Sequence, residues 1–213
     1  MGAFCASYMV ATMTLHEGNS SLQEVMDNFT QEWQEAKRTD PHCFNHMFLA
    51  TCSDTSQPSV RLVTLQTIHE RGLVFFTNSE SHKGRDLARN PAAAAAFYWP
   101  NSAVQIKIRG KVDTLDESLA EQWWSNRLRE NQLVAHASNQ SRKLGSAEEL
   151  REHYQQAKDK YRDRLVPKPT SWKGYLLIPE YMETWKSGWH NNVHPGVYYS
   201  LEENGWTCGL LNP

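Results

Sequence analysis

The chain has 213 residues, and its content of 39% hydrophobic and 22% charged residues is typical of a folded protein rather than a disordered one. Its formal net charge of −2 argues against a dedicated nucleic-acid binder, which would usually carry a basic domain or stripe. No apolar run approaches the ~20 residues of a membrane-spanning helix. We therefore expect a flexible N-terminal tail at 1–20 and a single domain at 21–213.

The first predicted element is a helix from Leu22 to about Lys37. Ser21 and Glu24 have the spacing of a capping box, and apolar side chains then recur at helical intervals. Pro41 ends the helix, because the residue before a proline disfavours the helical conformation. The period then changes to that of short β-branched and aromatic runs, which predict an antiparallel meander of strands at His46–Thr51, Ser59–Thr67 and Leu73–Thr77.

The second half of the chain continues with mixed elements. A short helix is predicted at Ser81–Asn90, followed by strands at Ala92–Trp99 and Val104–Val112. Further helices are expected at Asp116–Arg129, near Gln132–Ala137, and at Ser146–Lys160, and further strands at Gly174–Ile178, Met182–Lys186, Val197–Leu201 and Trp206–Leu210. These elements predict one α+β domain built on an antiparallel barrel.

Several common sites are absent from the sequence. There is no nucleophile elbow, phosphate-binding P-loop or dinucleotide fingerprint. Two histidine pairs, His42/His46 and His190/His194, have a metal-ligand spacing, but one begins a strand and the other lies in a predicted loop, so we expect no metal. The cysteines are isolated and predict reduced thiols in a cytoplasmic protein; they are Cys5, Cys43, Cys52 and Cys208.

Basic residues at strand and helix ends are more informative. Arg61 lies near the start of an apolar strand, and Thr77–Gly84 joins a strand to a helix. Hydroxyls, amides and the lysine Lys83 at a helix N-terminus are the groups that bind a phosphate. An ordinary capping loop with a solvated lysine is the alternative that the residues alone leave open.

A longer series of motifs resembles the pyridoxamine 5′-phosphate oxidase family. The segments that carry the resemblance appear in the same order and spacing; they are Arg61–Leu65, Phe75–Gly84, Asn90-Pro91, Phe97–Trp99, Gln105–Gly110, Ser138–Ser141, Val166–Pro169, Trp172–Tyr175 and Met182–Trp185. The resemblance implies a Greek-key antiparallel split β-barrel with flanking helices, and a homodimer that binds FMN across the subunit interface.

The resemblance also implies a set of cofactor contacts. It places the FMN phosphate on Arg61 and Lys83 with Thr77 beside them, and His82 stands where the family has an arginine. Cationic groups neutralise a phosphate, and amides hydrogen-bond the flavin ring. The expected cofactor-binding residues are Arg61, Leu62, Val63, Thr64, Gln66, Phe76, Thr77, His82, Lys83, Gln105, Gln140, Ser141 and Trp185.

The expected substrate site departs from the family pattern. Gln66 replaces a phosphate-binding lysine, whereas Arg127 is retained, and His194 is one residue out of register with a family histidine. The loss of cationic groups predicts weak binding of a vitamin B6 phosphate. The expected substrate-binding residues are Gln66, Trp123, Arg127, Asn131, Asn191, Val193 and His194.

These features predict an FMN-dependent oxidase that passes a hydride equivalent from a small, partly reduced cyclic substrate to flavin and then to oxygen, in a biosynthetic pathway. A pyridoxamine/pyridoxine 5′-phosphate oxidase with a divergent site and a flavin-binding protein without turnover are the alternatives. No catalytic residue is identified from the sequence.

Overall fold

The computed structural model describes residues 18–187 and 195–212. In this part of the chain the helices are α1 (Leu22–Thr39), α2 (His82–Arg89), α3 (Glu117–Ser125), α4 (Arg129–Ala137) and α5 (Ala147–Lys160). The strands are β1 (Gly18–Ser20), β2 (His46–Cys52), β3 (Pro58–Thr64), β4 (Thr67–His69), β5 (Gly72–Asn78), β6 (Ala92–Trp99), β7 (Val104–Thr114), β8 (Trp172–Lys186), β9 (Gly196–Glu202) and β10 (Gly205–Leu211).

The strands form one antiparallel sheet in the order β1-β10-β9-β8-β7-β6-β2-β3. Strand β8 curls this sheet, because its first half pairs with β5 while its second half pairs with β9. Strand β7 runs beside both halves of β8, with a register shift between Arg109 and Gly110 that bends the pair. The expected α+β fold, an antiparallel split barrel with flanking helices, is confirmed.

Two predicted strands, Gly174–Ile178 and Met182–Lys186, are one continuous strand. The gap predicted between them is part of the strand, because Pro179 lies at the register shift in β7, where the ladder is already interrupted. The backbones of β7 and β8 approach closely at this point because Gly110 has no side chain: a Cβ there would lie 1.9 Å from the carbonyl oxygen of Ile178.

The predicted helices are present with corrected ends. Ser21 and Glu24 form the predicted capping box of α1. The helix expected to reach Arg129 ends at Ser125, because the chain turns there and α4 begins at Arg129. Helix α5 is capped by Ser146 as expected. The last three residues of the expected tail, Gly18–Ser20, pair with β10 as strand β1, and the rest of that tail lies outside the described residues.

Two apolar cores lie on opposite sides of β5. The larger core fills the barrel and includes Phe75, whereas Phe76, the next residue, packs in a second core beneath α3, α4 and α5. This alternation places Thr77 on the barrel side with Phe75. No helix in the described ranges is long and apolar enough to cross a membrane.

Candidate functional site

A buried lysine lies where β5 passes into α2. The Lys83 Nζ lies 3.2 Å from Thr77 Oγ1, 3.3 Å from Ser81 Oγ and 3.2 Å from Gln140 Oε1, and all three partners are neutral. Burial, together with the nearby charge of Arg61, lowers the pKa of Lys83 to about 8. An ammonium group that is desolvated among neutral partners is a favourable site for an anion.

Arg61 supplies a second cation from strand β3. Its guanidinium donates to the carbonyl oxygen of Leu49 at 3.1 Å and to Thr51 Oγ1 at 2.8 Å. It also lies 4.0 Å from the carboxylate of Asp86. Burial lowers the pKa of Arg61, and the charge of Asp86 opposes that effect. The guanidinium is therefore held against β2 rather than extended into solvent.

The N-terminus of α2 completes this cationic site. Ser81 caps the helix by accepting a hydrogen bond from the backbone N–H of Gly84 at 3.3 Å. A Cβ on Gly84 would lie 2.4 Å from the carbonyl oxygen of Ser79, so the close approach of the loop to the helix requires glycine. His82 is more exposed, with its Nδ1 3.2 Å from Asp86. One buried cation, one partly buried cation and a helix N-terminus fit a phosphate group, including that of FMN.

The structure brings several predicted cofactor residues together. Thr77 donates to Gln140 Oε1 at 3.1 Å, so the loop after α4 joins the same cluster as Lys83. Ser141 follows Gln140 in the left-handed conformation, with φ of 70°.

Gln105 and Trp185 lie elsewhere in the chain. They are paired with each other across β7 and β8. The pairing registers of the intervening strands put Gln105 on the same line across the sheet as Thr64 of β3, and both residues lie on the outer face of the sheet, away from the barrel core. Strands β6 and β2 lie between β7 and β3, so three strand spacings of about 4.8 Å separate Gln105 from β3 by about 14 Å. Leu62 shares this outer face, whereas Arg61 and Val63 alternate to the other. Within one chain, these two predicted flavin contacts are separated from the cationic site.

A second group of predicted residues meets at the aromatic core beneath α3. Phe76 stacks on Trp172, with ring centroids 4.5 Å apart, and Trp123 lies 5.7 Å from Phe76. The Arg127 guanidinium lies 5.7 Å from the centroid of Trp172, and its Nε is buried with no hydrogen-bond partner among the described residues. Burial lowers the pKa of Arg127. This cluster combines flat aromatic surface with one desolvated cation.

The remaining predicted substrate residues are less informative. Gln66 is exposed just beyond β3, where its backbone N–H donates to Val74, and Asn131 is exposed on α4. Trp172 was not among the predicted site residues, although it lies in one of the recognised motifs; its stacking on Phe76 depends on the pairing of β5 with β8. Several sequence candidates lie outside the described residues: Cys5, His190, Asn191, Val193 and His194.

The chain is similar over most of its length to known proteins. The family model described as pyridoxamine 5′-phosphate oxidase matches residues 29–161. A pyridoxine/pyridoxamine 5′-phosphate oxidase of Anaeromyxobacter dehalogenans is 36% identical over 91% of this chain and 98% of its own length. One from Trichormus variabilis is 37% identical over 79% of each chain.

Two solved structures have a similar fold. PhzG from Burkholderia lata 383, in complex with tetrahydrophenazine-1-carboxylic acid, matches with a TM-score of 0.80 and 28% identity, covering 88% of this chain and 92% of PhzG. A pyridoxamine 5′-phosphate oxidase-related, FMN-binding protein from Nostoc punctiforme matches with a TM-score of 0.70 and 14% identity, covering 87% of this chain and 97% of its own; that likeness concerns the fold alone.

Proposed function

The chain belongs to the pyridoxamine 5′-phosphate oxidase family of FMN-dependent oxidoreductases, and we propose that it is an oxidase that holds the FMN phosphate between Arg61 and Lys83. The observation that carries this proposal is the buried Lys83 together with the partly buried Arg61 near the N-terminus of α2. FMN, when bound, supplies an acceptor for a hydride equivalent. The protein contributes the charge that neutralises the phosphate and the fold that orients the flavin.

Neighbouring polar groups orient the cations toward that phosphate. Gln140 accepts hydrogen bonds from both Thr77 and Lys83, and these bonds hold the ammonium group near the N-terminus of α2. Charge-assisted hydrogen bonds from two cations contribute about 1.5–3 kcal/mol each. The site therefore favours FMN over riboflavin, which lacks the phosphate.

The outer face of the sheet supports a homodimer. Phe48, Val60, Leu62 and Tyr98 are exposed on neighbouring strands β2, β3 and β6, and Val60 is 67% exposed. A groove of about 390 Å³ lies on the same face, lined by Phe48, Val60 and alanines of β6 together with charged side chains of β7 and β8. An apolar face of this kind is typical of a protein interface. A second copy of the chain on it would bring Gln105 and Trp185 toward its partner's flavin.

The substrate that fits the aromatic cluster is a small, partly reduced cyclic compound with at most one negative charge. Phe76, Trp123 and Trp172 offer flat apolar surface, and Arg127 provides one cation for a carboxylate or hydroxyl. Gln66 offers no charge for a phosphate dianion. PhzG, which was crystallised with a partly reduced tricyclic carboxylic acid, is a structural relative that binds a compound of this kind.

A pyridoxamine/pyridoxine 5′-phosphate oxidase is the second candidate function. It is favoured by curated relatives with this activity in their names that are 36–37% identical to the chain. A flavin-binding protein without turnover is the third candidate.

Oxygen as the electron acceptor and a cytoplasmic location are parts of the leading oxidase proposal. The free thiols Cys43, Cys52 and Cys208 are consistent with a reducing compartment.

One set of assays separates these functions. The FMN-loaded protein is mixed anaerobically with pyridoxine 5′-phosphate, with pyridoxamine 5′-phosphate or with a dihydro or tetrahydro cyclic carboxylic acid, and flavin bleaching is followed before air is admitted and peroxide measured. Rapid bleaching by the carboxylic acid alone supports the leading proposal. Rapid bleaching by the B6 phosphates supports the second, and a flavin that no substrate bleaches supports the third.

A variant tests the substrate proposal through binding. Gln66→Lys combined with Asn191→Arg and Val193→His restores the family's residue types. We expect it to bind pyridoxal phosphate at least tenfold more tightly, which is about 1.4 kcal/mol. A wild type that already binds this ligand at micromolar concentration, with no gain in the variant, would contradict the proposal.

A further inference from the structure

A buried carboxylate lies inside the cationic site. Asp86, on α2, is 6% exposed, and its Oδ2 accepts a hydrogen bond from Thr51 Oγ1 at 2.7 Å. The same oxygen lies 3.2 Å from His82 Nδ1 and 4.0 Å from the guanidinium of Arg61. A negative charge beside a phosphate site opposes phosphate binding by its field alone. The contacts of Asp86 indicate a compensating function.

Thr51 links this carboxylate to Arg61. Its hydroxyl donates to Asp86 and therefore directs a lone pair toward the Arg61 guanidinium, which donates to it at 2.8 Å. Arg61 is on β3, Thr51 on β2 and Asp86 on α2. The chain of hydrogen bonds thus ties three elements together at the point where the arginine enters the site.

Arg61 needs such a restraint because Lys83 is also positive. The charge of Arg61 is one of the two causes that lower the pKa of Lys83, so the two cations repel each other. A long, flexible arginine side chain without an opposing charge would relieve that repulsion by extending into solvent. Asp86 offsets the repulsion and lowers the cost of keeping both cations in place before the phosphate arrives.

We propose that Asp86, acting through Thr51, is a positioning residue that holds Arg61 in the geometry needed to bind the phosphate of FMN. This inference rests on the proposed function, since it takes Arg61 and Lys83 to be the phosphate ligands. Among the described residues, no other carboxylate lies within 4.0 Å of either cation.

Other charged residues near α2 are directed elsewhere. The Arg85 guanidinium donates to the carbonyl oxygen of Glu80, and Arg89 pairs with Asp54 at 3.0 Å. The Asp54–Arg89 pair is exposed on both sides. Asp54 is therefore a matched control: it is a carboxylate paired with the same helix, but outside the cationic site.

The test compares two flavins that differ by the phosphate. Apoprotein is titrated with FMN and with riboflavin, and quenching of flavin fluorescence gives the two affinities. We expect Asp86→Ala and Thr51→Val each to weaken FMN about tenfold while riboflavin affinity stays the same. The double variant is no weaker than either single variant, because both changes remove one chain of hydrogen bonds. Thr51→Ser keeps the hydroxyl and should keep wild-type affinity, as should Asp54→Ala.

Several results would overturn the inference. Tighter FMN binding by Asp86→Ala means that the carboxylate only opposes the phosphate. Equal losses for FMN and riboflavin mean that it serves the fold alone. If Asp86→Ala does not fold, Thr51→Val tests the inference instead, since it retains the carboxylate. An unchanged FMN affinity in Thr51→Val refutes the proposal that Asp86 acts through Thr51.

Failure of the proposed function gives a different result. In that case the wild type itself binds FMN no more tightly than riboflavin. If the wild type prefers FMN and both Asp86→Ala and Thr51→Val keep that preference, the proposed phosphate site stands and only the positioning role of Asp86 is refuted.

Discussion

Replacing Lys83 with methionine separates the binding role of this lysine from its effect on folding. Burial and the charge of Arg61 lower its pKa from 10.5 to about 8. At about 1.36 kcal/mol per pH unit, this difference means that the charged lysine destabilises the folded apoprotein by about 3 kcal/mol. Methionine has a similar unbranched shape, and Gln140 still accepts a hydrogen bond from Thr77 after the change. We therefore expect the apoprotein of Lys83→Met to be more stable than wild type by up to that amount.

The size of this destabilisation depends on pH. Below about pH 8, Lys83 is charged in both the folded and the unfolded protein, so the destabilisation is fully present at pH 7. Between about 8 and 10.5 the unfolded chain binds more protons than the folded one, and the stability of the wild type rises with pH. The advantage of the methionine variant should therefore shrink across this range.

The same substitution should weaken FMN. Loss of one charge-assisted hydrogen bond, about 1.5–3 kcal/mol, corresponds to roughly a 10- to 150-fold loss of affinity. Riboflavin affinity should not change. Urea unfolding of the apoprotein at pH 7 and 10, together with flavin titrations, measures both effects. Lys111→Met is the control, because Lys111 is an exposed lysine paired with Glu180. An unchanged FMN affinity, or an apoprotein less stable than wild type by more than about 1 kcal/mol, would refute the reasoning.

Three further predictions follow from the same geometry. FMN affinity should fall as pH rises from 7 to 9.5, because Lys83 loses its proton near pH 8; titrations that give equal affinity at both pH values contradict this. Val60→Glu should convert a dimer to a monomer in sedimentation and weaken FMN binding. Leu165→Glu, which changes a leucine that is 91% exposed elsewhere on the surface, should do neither. A Val60→Glu variant that remains dimeric rules out this interface. Arg127→Met should weaken a fused-ring aromatic carboxylate at least tenfold, measured by its effect on the flavin spectrum, without changing FMN affinity; equal carboxylate affinity removes Arg127 from the substrate site.

Much of the fold could be predicted because local signals agreed with the tertiary structure. The capping box at Ser21 begins α1, and β7 alternates buried and exposed residues as its sequence does. The continuity of β8 could not be predicted, since a proline at position 179 argues for a break unless the register of the partner strand is known.

The site was predictable in part. Lys83, Thr77 and Gln140 were named from motif positions, and the structure joins them by hydrogen bonds. Asp86 and Thr51 were not named, because their link to Arg61 depends on the packing of α2 against β2 and the pairing of β2 with β3. A contact among three separate elements cannot be inferred from the spacing of residues within any one segment of the sequence.

The central claim is that this chain binds FMN through its phosphate, and the flavin content of the purified protein tests it most directly. The protein is purified without added flavin, denatured, and the released chromophore is identified by mass and quantified against the chain. The account predicts a yellow protein that releases FMN, one molecule per chain at saturation, and binds added FMN more tightly than riboflavin. A colourless protein that does not quench the fluorescence of added FMN would contradict it.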